Sequence, residues 1–181
     1  IKLYGDTSRW GRVLPFRLEA DPCQSPLSSQ AGLFLYLELA CALGLPGSFD
    51  RRLSYSGPQG WLDRQYGLAL VLLNLVGGEA VDDLDRLEAD AGLARVFRQA
   101  EVSGLSKGER RALAKRFRKG RQRTFPSATR THEWLERFHD PAQEALRAEG
   151  RAFIPAPSEG LRGLAAVNAD FLGAVQARRP R

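Results

Sequence analysis

Apolar residues recur at spacings of three and four along most of this chain, a period typical of amphipathic α-helices. The first such pattern predicts a helix that is capped by Ser28 or Ser29 and ends near Leu43. Its predicted core face consists of Leu33, Tyr36, Leu37, Ala40 and Leu43. Residues 61–76 are apolar on nearly every side, which predicts a helix at the centre of a bundle. A strand over 68–73 is the alternative, which the scarcity of β-branched residues disfavours.

The rest of the chain repeats the helical pattern. Further predicted helices cover 79–88, 91–98, 143–149 and 161–177, with a short helical turn over 48–53 and one strand over 15–20. The predicted core face of the last helix is Leu164, Val167, Phe171 and Val175. These elements predict a mainly α fold, a multi-helix bundle with an extended N-terminal arm. We predict four segments: the arm at 1–27, a helical bundle at 28–100, a basic helix and a second amphipathic helix at 101–141, and an extended linker with a final helix at 142–181.

Positive charge is concentrated in one run. Residues 107–123 hold nine Lys or Arg and one Glu, a local charge of +8, whereas the whole chain carries +6. The remaining residues are therefore net acidic. A surface with so dense a charge of one sign usually binds a phosphate backbone. The alternative is a solvated, partly disordered charge run without a partner.

The basic run begins with a helix signal. Ser106 and Glu109 have the spacing of a capping box, in which each side chain satisfies a free backbone N–H, and Gly120 is the predicted end. Leu113 and Phe117 form a small apolar anchor on one side. The opposite side is predicted to be a basic face: Lys107, Arg111, Lys115, Arg118 and Lys119.

Ser127 is predicted to cap the second helix, which continues to about His139. Its aromatic face, with Ala128, Trp134, Leu135 and Phe138, is expected to dock on the bundle. Thr129 and Arg130 would then be exposed near the N-terminus, the end with which a recognition helix reads bases in the major groove. This arrangement predicts a helix-turn-helix-like, basic DNA-binding portion. The predicted DNA-binding residues are Lys107, Arg110, Arg111, Lys115, Arg118, Lys119, Arg121, Arg123, Ser127, Thr129 and Arg130.

Two groups of residues that resemble metal sites have simpler interpretations. The acidic group alternates with Leu84 and Leu87 and lacks the glycine of a calcium loop, so we interpret it as the solvated face of a helix. Its members are Asp82, Asp83, Asp85, Glu88 and Asp90. His132 and His139 are about 10 Å apart along a helix, too far to share one zinc ion, and are interpreted as packing residues. We assign no catalytic residue, no metal ligand and no cofactor in this chain.

Composition sets the remaining expectations. With 181 residues and 43% hydrophobic content, the chain is able to bury one core. Cys23 and Cys41 are too few for a disulfide framework, which favours a reducing cytoplasm. The longest apolar run, 68–73, is too short to span a bilayer, so no membrane partner is expected. Because the chain begins with Ile1 and contains no Met, we expect a fragment or a processed product.

Five consecutive blocks together resemble the N-terminal part of a bacterial insertion-sequence transposase of the DDE type. They are AGLFLYLEL, LNLVGGEAVDDLDRLEADAGL, ERRALAKRFRKGR, FPSATRTHEWLERFHD and AFIPAPSEGLRGLAAVNADFL. The resemblance implies a region that binds the terminal inverted repeats of the element as double-stranded DNA, in a bacterial, nucleoid-associated protein for which homodimer formation is a further expectation. It also implies that a catalytic RNase H-like domain, which uses Mg²⁺, would begin after Arg181, so this chain alone is expected neither to cut nor to join DNA.

Two other functions stay open from the sequence. One is a stand-alone helical regulator that binds nucleic acid and has never had a catalytic domain. The other is a protein-interaction module whose basic face binds an acidic partner.

Overall fold

The computed structural model describes residues 2–3, 16–17, 30, 32–117, 120–147 and 152–178. Within them the chain is mainly helical, which confirms the predicted fold class. Strands β1 (Lys2–Leu3) and β2 (Phe16–Arg17) pair antiparallel, and β2 lies inside the predicted strand over 15–20. Most of the predicted arm at 1–27 lies outside the described residues. So do Ser28 and Ser29, the predicted caps of the first helix, and Cys23, Arg118 and Lys119, which also carried predictions.

Nine α-helices follow one another in the described part of the chain. They are α1 (Leu33–Ala42), α2 (Leu45–Arg52), α3 (Asp63–Leu75), α4 (Leu84–Ala89), α5 (Ala91–Ala100), α6 (Lys107–Lys115), α7 (Ala128–Leu135), α8 (Pro141–Glu144) and α9 (Glu159–Ala177). A 3-10 turn, Val81–Asp83, precedes α4, and another, Glu136–Phe138, follows α7. The helix predicted over 79–88 is therefore shorter than expected. The carboxylate of Asp83 accepts two preceding backbone N–H groups at 3.0 and 3.2 Å, which holds the tight turn before α4.

Helix α1 buries a different face from the predicted one. Phe34 is fully buried, whereas Tyr36 is 54% exposed, so the prediction that Tyr36 belongs to the core is wrong. All residues of α1 except Glu38 are apolar, and a helix that is apolar all round does not show by its period which side faces the core. The buried residues are Leu33, Phe34, Leu37, Ala40 and Cys41.

Helix α3 lies at the centre of the bundle, as predicted. Every side chain from Asp63 to Ala69 is buried, and no strand forms over 68–73. One hydrophobic cluster surrounds it, and its fully buried apolar members are Phe34, Leu37, Leu68, Leu72, Leu84, Leu87, Leu93, Val96, Phe97 and Phe125. Trp134 and Phe138 belong to the same cluster. The basic segment at 101–141 is therefore packed on the bundle through large aromatic side chains.

Helix α9 is attached to α2 by a polar clasp. Asp170 accepts hydrogen bonds from Ser48 Oγ at 2.6 Å and from Arg52 Nε and Nη2 at 3.1 and 2.8 Å. The helices approach so closely that a Cβ atom on Gly163 would lie 2.6 Å from the carbonyl oxygen of Arg52. Val167 is buried as predicted. The other predicted core residues of α9 are half-buried: Leu164, Phe171 and Val175.

Candidate nucleic-acid interface

The start of α6 is fixed locally by the predicted capping box. Ser106 Oγ accepts the backbone N–H of Glu109 at 3.3 Å, and the carboxylate of Glu109 accepts the backbone N–H of Ser106 at 2.7 Å. These hydrogen bonds with Ser106 lower the pKa of Glu109 from its ordinary value. Two free N–H groups of the first turn are thus satisfied, so α6 begins at the predicted residue.

Helix α6 presents a row of unpaired cations. Leu113 is its one buried residue, and every other side chain of the helix is exposed. Lys107, Arg111 and Lys115 follow one another at intervals of four residues, so they lie on the same side of the helix. Within the described ranges none of these three makes an ion pair. We call them the cation row. Arg110, also exposed, donates from Nε to the carbonyl oxygen of Leu105 at 3.0 Å.

The end of α6 comes earlier than predicted, because Arg116 anchors the chain to a loop. Its guanidinium donates to the carbonyl oxygens of Gly60 at 2.8 Å and Gly57 at 2.5 Å. The N–H of Gly60, whose φ of 76° favours glycine, donates back to the carbonyl oxygen of Arg116 at 3.1 Å. Burial lowers the pKa of Arg116. The guanidinium of Arg116 is thus bonded within the protein, and these bonds fix the position of the cation row.

Arg121 lies inside the protein, although its charge suggested a DNA contact. Its side chain is only 12% exposed, and it pairs with Glu101, whose side chain is 5% exposed. It also donates to the carbonyl oxygens of Arg123, at 2.7 Å, and Thr124. Its guanidinium carbon lies 4.5 Å from the centroid of the Trp61 ring. The structure therefore does not bring Arg121 to the surface together with the cation row.

Arg123 also has partners within the chain. Its guanidinium pairs with Asp85 and donates to the carbonyl oxygen of Phe125 at 3.4 Å. The carboxylate of Glu88 accepts the backbone N–H groups of Thr124 and Phe125 at 2.9 and 2.8 Å. These contacts hold the loop before α7 on α4. Arg123 is 37% exposed, so part of its guanidinium still reaches solvent.

Helix α7 docks by its aromatic face, as predicted. Ser127 Oγ accepts the backbone N–H of Arg130 at 3.4 Å and caps the helix. Thr129 and Arg130 are exposed near this end. Arg130 pairs with Glu133 at 2.7 Å, and this hydrogen-bonded pair raises the pKa of Arg130. Twelve residues, 116–127, separate α6 from α7, whereas a helix-turn-helix has a turn of about 3–4 residues. The connection between α6 and α7 is therefore longer than the turn of a helix-turn-helix, and each helix is held on the bundle by its own contacts.

Trp134 connects α7 to the centre of the bundle. Its indole N–H donates to the buried carboxylate of Asp63 at 2.7 Å, and its ring stacks on Tyr66 with 5.1 Å between centroids. The other carboxylate oxygen of Asp63 accepts the backbone N–H groups of Tyr55 and Ser56 at 3.1 and 3.0 Å. Since both oxygens of Asp63 are satisfied, the buried charge holds α7 and the loop after α2 in fixed positions.

A cleft of about 400 Å³ lies between α7 and the segment 55–61. Its aromatic lining consists of Tyr55, Trp61, Tyr66, Phe117 and Trp134. Arg130, Glu133 and Arg137 are the charged residues of its lining. Arg137 also donates to the carbonyl oxygen of Tyr55 across the cleft. Sequence reasoning missed this cleft because its lining comes from α3, α7 and two loops that are distant in the chain.

The acidic residues around α4 form a face that is solvated in part, as predicted: Asp82 is exposed and the side chain of Asp85 is 68% exposed, whereas Asp83, Glu88 and Asp90 are half-buried. Four of them also make contacts within the protein. Glu88 and Asp83 accept backbone N–H groups, Asp85 pairs with Arg123, and Asp90 caps α5 by accepting the N–H of Leu93 at 2.9 Å. In the part of the chain that the structure describes, no three His, Cys, Asp or Glu side chains are grouped so that they could hold a metal ion.

His132 and His139 are exposed, so the prediction that they pack between helices is wrong. Helix α7 and the turn after it direct Thr131, Trp134 and Phe138 to the core instead, and both histidines lie on other sides. The docking face of α7 is therefore set by its aromatic residues and one threonine.

Comparison of the chain with protein-family models, with curated proteins and with solved structures finds no match. Among the described helices, none is by itself long and apolar enough to cross a membrane. Only α1 and α2 taken as a pair, which bends by 59° at their junction, pass on length and composition. The geometry of the cation row and the cleft therefore carries the functional proposal.

Proposed function

We propose that this chain binds duplex DNA through the cation row of α6. The observation that carries this proposal is that, within the described residues, Lys107, Arg111 and Lys115 are exposed and make no ion pair, whereas many other arginines are bonded to intramolecular acceptors. An unpaired cation on a fixed helix can neutralise a phosphate without first breaking an internal contact. Binding of this kind releases condensed counterions and does not depend on base sequence.

The spacing of the cation row suits a phosphate backbone. Residues four apart in an α-helix rise by about 6 Å. Every second phosphate of one DNA strand is displaced by about 7 Å along the axis of the duplex. Cations at this separation can therefore contact different phosphates of the duplex.

As the physiological setting we propose the DNA-binding region of a DDE-type transposase, with the terminal inverted repeats as its site. The resemblance of the five sequence blocks supports this part of the proposal. A bacterial, nucleoid-associated location and a homodimer belong to the same proposal. Within the described residues, no three acidic side chains around α4 lie close enough together to hold a Mg²⁺ ion, so no step of strand cleavage is assigned to them.

The cation row is tested by replacing Lys107, Arg111 and Lys115 together with Gln. Loss of three phosphate contacts should weaken binding to any duplex on the order of 100-fold at 0.1 M salt. A matched control replaces three other exposed arginines with Gln, namely Arg95, Arg147 and Arg162, and so changes the net charge equally. The affinities are measured by fluorescence anisotropy with duplexes of arbitrary sequence.

The proposal fails if the wild-type chain binds no duplex at low salt, or if the control variant loses as much affinity as the cation-row variant. Absence of DNA binding together with tight binding of an acidic polypeptide would favour the protein-interaction module instead.

A further inference from the structure

We propose that the cleft between α7 and the segment 55–61 receives one unpaired base of the bound DNA. This inference rests on the proposed DNA binding and adds to it a site for an unstacked nucleotide. We refer to this site as the base cleft.

The walls of the base cleft suit a planar ring. Trp61 is half-buried, and its ring meets Phe117 edge-on with 5.2 Å between centroids. The guanidinium of Arg121 lies over the Trp61 ring at 4.5 Å and holds it in place. Tyr66 and Trp134 are buried and stack on each other at an angle of 11°, so the half-buried Trp61 is the ring that offers a base its stacking surface. Aromatic walls held in this way bind bases of any sequence, because every base has a π face to stack.

The size of the base cleft limits its occupant. Its volume of about 400 Å³ lies near the lower end of the range for small-molecule pockets, which begins at about 300 Å³. A paired base in a duplex is stacked on both faces and presents only its edges in the grooves. The cleft is therefore large enough for one base that has left the stack, whereas a base that stays stacked in the duplex presents no face to it.

Charge on the lining favours a nucleotide over an apolar ligand. Two arginines, Arg130 and Arg137, and one acidic residue, Glu133, line the cleft. Arg130 is 64% exposed, so its guanidinium is accessible to a phosphate on either side of the inserted base. The net positive charge of this lining complements a phosphodiester.

The base cleft is also continuous with the cation row. Phe117 lines the cleft and lies two residues after Lys115, the last cation of the row. Arg116, between them, fixes this short connection on the carbonyl oxygens of Gly57 and Gly60. A DNA backbone that follows α6 toward its C-terminal end is thereby led to the cleft.

The test compares a duplex that carries a one-nucleotide bulge of 2-aminopurine with the same duplex fully paired. We expect wild type to bind the bulged duplex about ten-fold more tightly, which is the range of a single base stacking on aromatic side chains. Stacking on Trp61 should also quench the fluorescence of 2-aminopurine on binding. The cation-row variant should lose affinity for both duplexes and keep the ratio, since it leaves the cleft intact.

Substitutions in the lining test whether the preference for the bulged duplex arises in the base cleft. Gln59 lines the cleft, is exposed and makes no described hydrogen bond, so Gln59→Trp fills the cleft without disturbing the core. It should remove the preference for the bulge, and the control Gln59→Ala should keep it. Trp61→Leu should remove the preference as well, and Trp61→Phe, which keeps a planar ring, should retain most of it. Circular dichroism establishes that each variant is folded.

Equal affinity of wild type for bulged and paired duplexes would overturn the base cleft and leave the proposed DNA binding standing. A preference that survives in Gln59→Trp would overturn it too. If neither duplex binds, the proposed function itself fails. A free deoxynucleoside monophosphate that quenches tryptophan fluorescence at micromolar concentration, with no bulge preference, would show that the occupant is a free nucleotide and contradict the proposal.

Discussion

The basic run divides at Arg116 into two regions that each hold four Lys or Arg and whose described arginines lie in different environments. Before it, the cations of α6 are exposed and make no ion pair within the described residues, and Leu113 is the one buried residue of the helix. After it, Arg121 and Arg123 donate to carboxylates and carbonyl oxygens of the protein. The difference shows that local charge density overstates a binding surface. An arginine for which the fold already supplies an acceptor must give up that contact before it binds a partner.

The largest expected effect comes from replacing Arg121, which lies in the part of the basic run that is packed inside the protein. Arg121→Gln leaves Glu101, 5% exposed, without its charge partner. Loss of one member of a buried pair destabilises a protein by about 3 kcal/mol. Urea unfolding of the variant should therefore show a correspondingly lower free energy of unfolding.

Arg111, on the exposed side of α6, supplies the matched control for the unfolding measurement. Arg111→Gln should change the free energy of unfolding by less than about 0.5 kcal/mol, because exposed positions without contacts contribute little. Folded Arg121→Gln should still bind DNA with the salt dependence of wild type. Equal stability losses in the two variants would contradict the division of the basic run.

The parts of this arrangement that the sequence predicts are the ones with local causes. The start of α6 depends on Ser106 and Glu109, three residues apart, and the start of α7 depends on Ser127. Both were predicted, because a cap is specified within one turn of helix. The central position of α3 was predicted for a similar reason, since its own composition is apolar on almost every side.

The parts that the sequence did not predict depend on partners far along the chain. The early end of α6 follows from Arg116 binding Gly57 and Gly60, and the burial of Arg121 follows from Glu101. Nothing in the local pattern of the basic run distinguishes these arginines from those of the cation row. The base cleft has the same origin, because it forms only when α3, α7 and two loops meet.

A smaller effect is expected for Arg130 of α7. This arginine is exposed like the side chains of the cation row, but it is paired with a carboxylate. Arg130→Ala should reduce the difference in binding free energy between the inverted repeat and random DNA by about 1–3 kcal/mol if Arg130 contacts a base edge. Competition with Glu133, its partner at 2.7 Å, favours the low end of that range. Parallel titrations with the two duplexes measure the difference. An equal loss on both DNAs would make Arg130 a phosphate contact.

The smallest effect concerns the attachment of α9 to α2 through Asp170, a half-buried carboxylate that binds arginines outside the basic run. Hydrogen bonds from Arg52 and then Ser48 hold the pKa of Asp170 well below its ordinary value of 3.8. Because the folded pKa lies below the unfolded one, the clasp stabilises the protein above about pH 4 and loses this contribution as the pH falls through the folded pKa.

Asp170→Asn removes that dependence on pH. The midpoint of thermal unfolding should be lower for the variant than for wild type at neutral pH, and the two midpoints should converge toward about pH 2. Scanning calorimetry across this range makes the comparison. A difference that stays constant with pH would show that the charge of Asp170 does not stabilise the attachment of α9.

The most direct measurement of the central claim is the salt dependence of DNA binding by three proteins: wild type, the variant with Lys107, Arg111 and Lys115 replaced by Gln, and the control variant with Arg95, Arg147 and Arg162 replaced by Gln. Each phosphate contact contributes about 0.9 to the slope of the logarithm of affinity against the logarithm of salt concentration. The cation-row variant should therefore have a slope that is shallower than that of wild type by about 2.7, and the control variant should keep the wild-type slope. Identical slopes for wild type and the cation-row variant would contradict the assignment of α6 as the surface that binds phosphate.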